Sequence, residues 1–381
     1  MKRIKIISIL FACVFLFSAC GSKNATNTSI TDKSTVQTEN QNIRDKKDTS
    51  QTSDNTPPKD WEPTPIEDFD YKYDVELKGA VVSYKGTAEQ VIFPSEINGD
   101  PVVAIGATKG PVSIVSGKQK GPSPIREVYI PEGVKVIGKK AFYNCIYLES
   151  INIPDSVTEI GFMAFSGCVR LASIRLPEGL QVIDEGAFSG CVRLASIRLP
   201  EGLQVIDGGA FEFCEQLVTV EYDSLNNLTY LDSDAFYETY WFNRQPDGFV
   251  FLGSNLLKFK GKAPSTLVIP DGTRLIASQA FYGSGTTDAS KVIKTAIIPE
   301  GVKYITRAFM GLHELVSVEL PESITEIGED AFYHCWSLTT INLPSGLTYI
   351  GENAFSGCES LDEATKERIL QINTNNTPLS R

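Results

Sequence analysis

Apolar positions in this chain return over a long interval, in three short groups. Between Leu171 and Cys191 they fall at Leu171, Ile174 and Leu176, then at Leu180 and Ile183, then at Ala187 and Phe188. The first group has the spacing of a half-exposed strand, with Ser173 and Arg175 alternating outward. Pro177 lacks an N–H and stops that strand, and Gly179 lets the chain turn. Leu180 and Ile183 make a second short run, and Ala187-Phe188 begins a helical turn that closes at Gly190-Cys191. The pattern predicts two short parallel strands and one helical turn per coil.

The coil repeats. Ala164–Asp184 reads AFSGCVRLASIRLPEGLQVID, and Ala187–Asp207 repeats all 21 residues at an offset of 23. Looser copies run both ways. Ala-Phe recurs at Phe142, Phe165, Phe188, Phe211, Phe236, Phe281, Phe309, Phe332 and Phe355, and the strand-ending proline recurs from Pro94 to Pro344. A fixed period of this size marks a solenoid, in which no coil can bury its apolar face alone. Coils should stack about 4.8 Å apart, and parallel strands joined by crossovers should wind right-handed.

The unit C-x-x-L-x-S-I-x-L-P-x-G-L-x-x-I-x-x-x-A-F-x-G, as it stands here, resembles the BspA-like bacterial leucine-rich repeat, also called leucine-rich repeat type five. The resemblance covers Tyr73 to Leu361. It implies a β-rich (α/β) right-handed leucine-rich-repeat solenoid of about ten coils. It also implies a cell-surface protein that binds host or neighbouring-cell partners. Commoner leucine-rich repeats carry a buried Asn where this chain has Gly179, Gly202 or Gly346, so no asparagine ladder is expected at that position.

The ends depart from the period. Lys2, Arg3 and Lys5 precede the apolar run Ile6 to Phe17 and then Ser18-Ala19-Cys20. That is a secretory signal too short to span a membrane. Small residues ending on Cys20 resemble a bacterial lipoprotein signal, which gives residues 1–20 as the signal and Cys20 as the lipid site. Residues 21–70 are polar, with almost no apolar side chains before Trp61. Such a stretch cannot offset its ordering entropy and reads as a disordered tether, with an end-to-end distance of roughly 35–45 Å.

The solenoid is assigned to residues 71–361. Its first coil is degenerate, as a capping coil should be, and Thr108–Pro124 replaces one Ala-Phe turn by a loop. Between Tyr237 and Lys262 the period breaks at a predicted β-hairpin insert. Tyr237, Tyr240, Trp241 and Phe242 just before it read chiefly as packing for the insert, with a ligand platform as the alternative. Gly283–Lys291 reads as a flexible loop. Ser360 with Glu363 forms a capping box, so residues 362–381 should be a cap helix and tail.

Charge and reactive side chains narrow the function. A net charge of −12 argues against nucleic acid and anionic lipid surfaces as partners. Cys145, Cys168, Cys191, Cys214, Cys335 and Cys358 share one position of the repeat. They read as small buried hydrophobes and free thiols, because parallel Cβ vectors suit a disulfide poorly. Only two histidines occur, and no nucleophile, phosphate-loop or zinc motif is found. No enzyme, metal or cofactor is expected.

What remains is a surface. The outward position of each first strand reads Ile92, Tyr129, Asn152, Arg175, Arg198, Glu221, Val268, Ile297, Glu319 and Asn342, beside a column of Ser and Thr. Tyr129, Asn152, Arg175, Arg198, Glu221, Glu319 and Asn342 are the candidate partner contacts. Arg175 and Arg198 come from identical coils and should stack as a cationic pair suited to an acidic group. The reading is an extracytoplasmic monomer, lipid-anchored to the bacterial cell membrane and surface-exposed, that binds an extracellular protein or glycan. The alternative is a passive structural spacer or surface-layer component.

Overall fold

Most coils lay down two short strands and a crossover that stack on their counterparts in the next coil, while the expected first strand over residues 171–176 keeps its alternation without forming a regular strand. The structure is a computed structural model that describes residues 56–107, 123–282 and 289–375. Cys20, residues 283–288 of the expected flexible loop Gly283–Lys291 and most of the loop at Thr108–Pro124 lie outside those residues, while Ala289–Lys291 forms a 3-10 turn with Ala289 buried. The described chain winds into a β-solenoid of about eleven turns.

The second apolar runs form the longer ladder. Val136, Glu159, Val182, Val205 and Tyr230 stand in parallel register, and Ile137, Ile160, Ile183, Ile206 and Leu231 bury behind them. First strands pair in the same sense, in three groups. Gln90–Ile92, Glu127–Tyr129 and Ser150–Ile151 form one, Ser196–Arg198 and Thr219–Glu221 the next. Thr266–Val268, Thr295–Ile297, Ser317–Glu319 and Thr340–Ile341 form the third. Leu171, Ile174 and Leu176 are buried with Ser173 and Arg175 exposed, as the alternation requires.

The crossover makes one tight turn per coil, but through overlapping β-turns instead of α-helical bonds. Ala141 N bonds Gly138 O at 3.1 Å, and Cys145 N bonds Phe142 O at 3.1 Å. The third residues of these turns, Lys140 and Asn144, stand at φ 56°, the conformation a type II turn demands. Intervening N–H groups turn to the next coil: Phe142 N reaches Ala164 O at 2.7 Å, and Asn144 N reaches Ser166 O at 2.8 Å. An α-helix would keep every N–H inside its own segment. Here half of them bind coil to coil.

That arrangement fixes the Ala-Phe signature. Ala is the residue small enough to let the turn close on its neighbour, and Phe fills the axis. Phe142, Phe165, Phe188, Phe211 and Phe236 are fully buried and stack near-parallel, with centroids 5.1–5.3 Å apart. Phe236 then closes against Trp241 at 5.1 Å. A second column of four rings starts at Phe281 and ends at Phe355.

The repeated cysteines have a bond of their own. The Sγ–H groups of Cys168, Cys191 and Cys214 donate to the carbonyls of Phe142, Phe165 and Phe188 at 3.2 Å. Cys335 and Cys358 do the same to Phe309 and Phe332. All six thiols are free and buried. Burial pushes the Cys145 thiol up to about 12 and raises Cys168 and Cys191 well above the ordinary value. The protonated thiol is a weak nucleophile, so Cys145, Cys168 and Cys191 are inert packing groups.

At the N-terminal end the expected tether stops short of residue 70. Ile66–Asp68 forms a 3-10 turn, and Phe69–Asp74 is a strand paired antiparallel to Gly79–Tyr84. Phe69 is buried against Tyr84 and Phe93 at 5.6 and 5.3 Å. Phe69 thus docks the end of the polar stretch onto the first coil. The antiparallel strand also covers the first edge of the parallel ladder, which would otherwise invite pairing with another chain.

The insert is more than a decoration. Gly248–Leu252 pairs antiparallel with Asn255–Lys260, and Asn255 and Leu256 then pair in parallel with Leu275 and Ile276. The hairpin therefore adds a rung to the second ladder. It brings polar groups inside with it. Asn255 Nδ2 donates to Leu225 O and Leu252 O, while Arg274 Nη2 donates to Leu228 O at 2.6 Å and to Asn255 Oδ1. Lys258 Nζ donates to Ser233 Oγ and Asp234 Oδ1. Most buried polar groups are satisfied in this way, though Arg274 Nε and Ser278 Oγ beside them have no hydrogen-bond partner among the described residues.

At the other end the helix Glu363–Asn375 packs Ile372 onto the last coil. Its cap is Asp362, whose Oδ1 accepts from Thr365 N at 2.9 Å; Ser360 Oγ instead donates to Trp336 O. The box expected from Ser360 and Glu363 is thus displaced by the residue between them, because Glu363 is already the first helical residue. Among the described residues no helix is long and apolar enough to cross a membrane.

Candidate partner-binding face

The outward column of the first strands is where the solenoid can offer side chains in register. Its members differ more than the strand pattern foretells.

Tyr129 is not available. It is only 9 % exposed, and the chain ahead of the first coil folds back over this rung, where Ile92 N donates to Thr64 Oγ1 at 2.8 Å. Burial, and then the charge of Glu132, raise its hydroxyl above the ordinary tyrosine value. That Thr64 reaches Ile92 is not legible along the chain, because Thr64 lies within the polar stretch expected to be a tether.

Asn152 and Asn342 serve the fold. Asn152 Oδ1 accepts from Ile130 N at 2.7 Å and its Nδ2 donates to Ile130 O at 2.8 Å. Asn342 treats Leu320 the same way, with both bonds at 2.7 Å. Each carboxamide thus stands in for a peptide group where the strand ladder lapses. Two asparagine bridges exist in this fold, at a place other than the one where commoner repeats carry theirs.

Arg175 and Arg198 do not act as a stacked cationic pair. Arg175 Nη1 turns to Asp155 Oδ1 in the preceding coil at 2.9 Å, and Arg198 Nη2 turns to Asp223 Oδ2 in the following one. Like charges on adjacent rungs repel, and an aspartate on either flank lets them diverge. Their side chains remain 53 % and 48 % exposed, so each pair contributes only a few tenths to about 1 kcal/mol. Glu221 lies directly beside Arg198 in the register, and Glu319 beside Ile297; both glutamates are exposed. Val268, in register with Ile297, adds an exposed apolar contact.

Two of the acidic residues that follow a strand-ending proline are structural. Glu132 accepts from the backbone of Asp155 and Ser156, and Glu300 from that of Glu322 and Ser323. Ser156 and Ser323 close the same turns by donating to Val134 O and Val302 O. What stays open on the face is therefore Arg175, Arg198, Glu221, Val268 and Glu319, a two-signed stripe with apolar relief and no catalytic geometry.

Comparison with known proteins gives the following. Residues 120–242 and 276–376 match the family described as BspA type leucine rich repeat region, in six copies. No curated protein matches the chain. Among solved structures, it is similar to a leucine rich cell surface protein from Faecalibacterium prausnitzii, at 24 % identity over 77 % of this chain and 86 % of that one, with a TM-score of 0.40. A leucine-rich repeat protein from Bacteroides ovatus is 24 % identical over 82 % of this chain and 98 % of that one, TM-score 0.37. The leucine rich repeat protein of T. pallidum is 25 % identical over 82 % and 96 %, TM-score 0.30.

Proposed function

Since the chain belongs to the BspA-type leucine-rich repeat family, we propose that it is a non-enzymatic binding module displayed outside the cell. In this reading a lipid on Cys20 holds it to the membrane, and the strand face meets an extracellular protein or glycan. The observation that carries the reading is the open stripe from Arg175 to Glu319. Its arginines are held in place by exposed ion pairs that a partner's carboxylates could exchange at small loss. A solenoid presents such a stripe to an extended partner over many coils at once.

The test is capture of extracellular proteins and glycans by the purified protein, followed by Arg175→Ser with Arg198→Ser. Folding should be unchanged and affinity for the captured partner should fall, most strongly at low salt. An affinity that stays the same across a salt series removes the strand face from the contact. Failure to capture anything specific favours the passive spacer.

A further inference from the structure

The crossover edge carries an open cleft of about 330 Å³ between two adjacent coils, lined by Phe213, Glu215, Glu238, Tyr240 and Asn243. Its layout follows from the repeat. Phe213 and Glu238 occupy one position of the crossover in successive coils, two residues after the Ala-Phe phenylalanine. Glu215 and Tyr240 occupy another, four residues after it. The aromatic rings thus stand on one diagonal and the carboxylates on the other. Phe213 N bonds Tyr237 O at 3.0 Å, which locks the two coils at this step.

The fold does not ask for these residues. At the position of Phe213 other coils carry Asn144, Gly167, Gly190, Gly311, His334 and Gly357, mostly glycine, because the backbone there stands at positive φ. Phe213 sits at φ 58° and Glu238 at φ 55°, conformations that side chains of this kind rarely adopt. Nor do the rings bury themselves. Phe213 is 44 % exposed and Tyr240 46 %, whereas Trp241 and Phe242 in the same segment pack inward. The aromatic cluster before the insert therefore divides, with part serving the core and part facing solvent.

We propose that this cleft binds a cationic side chain, lysine or arginine, presented by a partner protein. Charge complementarity selects the guest. Two carboxylates and two ring faces suit a cation, which gains from both ionic and cation–π attraction. The field is negative already: the Tyr237 hydroxyl is raised above its ordinary value, first by the charge of Glu238. Two cations of this segment are engaged. Arg244 lies over Tyr240 at 5.4 Å, showing that this ring accepts a guanidinium, and Lys258 is bonded to Asp234. Glu238 holds one amide donor, Asn243 Nδ2 at 3.1 Å, and Glu215 faces the cleft without an ion pair among the described residues. This site is separate from the strand face and stands or falls independently of it.

The experiment uses the whole protein and a fluorescein-labelled lysine hexapeptide, read by fluorescence anisotropy. Phe213→Gly keeps the net charge and restores the residue that Gly167 and Gly190 carry, so the fold is retained while one wall of the cleft is removed. Affinity should fall about tenfold. Tyr240→Ser, and Glu215→Gln with Glu238→Gln, should each give a comparable loss, only the last weakening the salt dependence. Peptide affinity unchanged in Phe213→Gly and Tyr240→Ser would mean the acidic surface at large is responsible, and the cleft is not the site. A neutral glucose oligosaccharide that binds the wild type and is lost in Phe213→Gly, with the lysine peptide unaffected, would overturn the cationic assignment.

Discussion

Replacing Phe188 tests the coil architecture most directly. The ring is fully buried, with Phe165 stacked on one side at 5.2 Å and Phe211 on the other at 5.3 Å. Truncation to alanine removes the burial and leaves a cavity at the axis, which costs about 3–5 kcal/mol. Phe188→Leu largely separates the two contributions, because it keeps a buried apolar side chain of similar size and loses the ring pairs. Two pairs at roughly 0.5–1.5 kcal/mol each put its cost at about 1–3 kcal/mol. Urea unfolding followed by circular dichroism measures both. A double-mutant cycle then locates the coupling. Phe165→Leu with Phe188→Leu should couple by about 0.5–1.5 kcal/mol. Phe142→Leu with Phe211→Leu, which share no ring contact, should add to within about 0.5 kcal/mol. Equal coupling in the two cycles, or a Phe188→Ala protein as stable as wild type, would show that the rings do not form the axial column.

Three further outcomes are expected. Cys20→Ala should move the protein from washed membranes to the soluble fraction, and its retention there would remove the lipid anchor from the proposal. Asn152→Ala leaves the peptide groups of Ile130 without their carboxamide partner and should cost about 1–3 kcal/mol by urea unfolding; a neutral result would show that water replaces it freely. Bonds from Thr365 hold the Asp362 carboxyl below the usual aspartate range. Its support of the last helix is therefore present above the unfolded-state value and lost as pH falls through the lower folded one. Hydrogen exchange of the amides after Glu363 should accelerate in acid, and Asp362→Asn should flatten that dependence.

Much of the architecture is visible in the residues themselves. The apolar spacing, the proline after each first strand and the Ala-Phe pairs mark two ladders and an axial ring column, because all three depend on side-chain size and polarity alone. What stays hidden depends on backbone torsion or on distant pairing. Lys140 and Met163 carry positive φ as readily as Gly186 and Gly209 do in other coils, so composition could not reveal that the crossover alternates its hydrogen bonds between coils. The bridging by Asn152 is indistinguishable in sequence from an outward polar residue. Arg175 and Arg198 have identical neighbours along the chain for many residues, yet turn opposite ways because Asp155 and Asp223 lie just outside the duplication. The exposed aromatics at Phe213 and Tyr240 could have been suspected from one signal, a phenylalanine where most coils keep glycine or asparagine.

The break between the two ring columns has a mechanical consequence. Coils joined face to face by hydrogen bonds along the stack yield to tension one at a time, like a zipper, since a pull along the axis loads only the outermost rung. Each 23-residue coil released adds roughly 75–80 Å of contour length. The column ending at Phe236 and Trp241 and the column beginning at Phe281 meet through Asn255, Lys258, Arg274, the backbone bonds of Ser278 and apolar side chains of the hairpin, and among the described residues no ring is stacked across the seam. Stretched between a fixed base and a moving partner, such a chain would let the segments on either side of the hairpin give way as separate events, lengthening in steps while one of them stays folded.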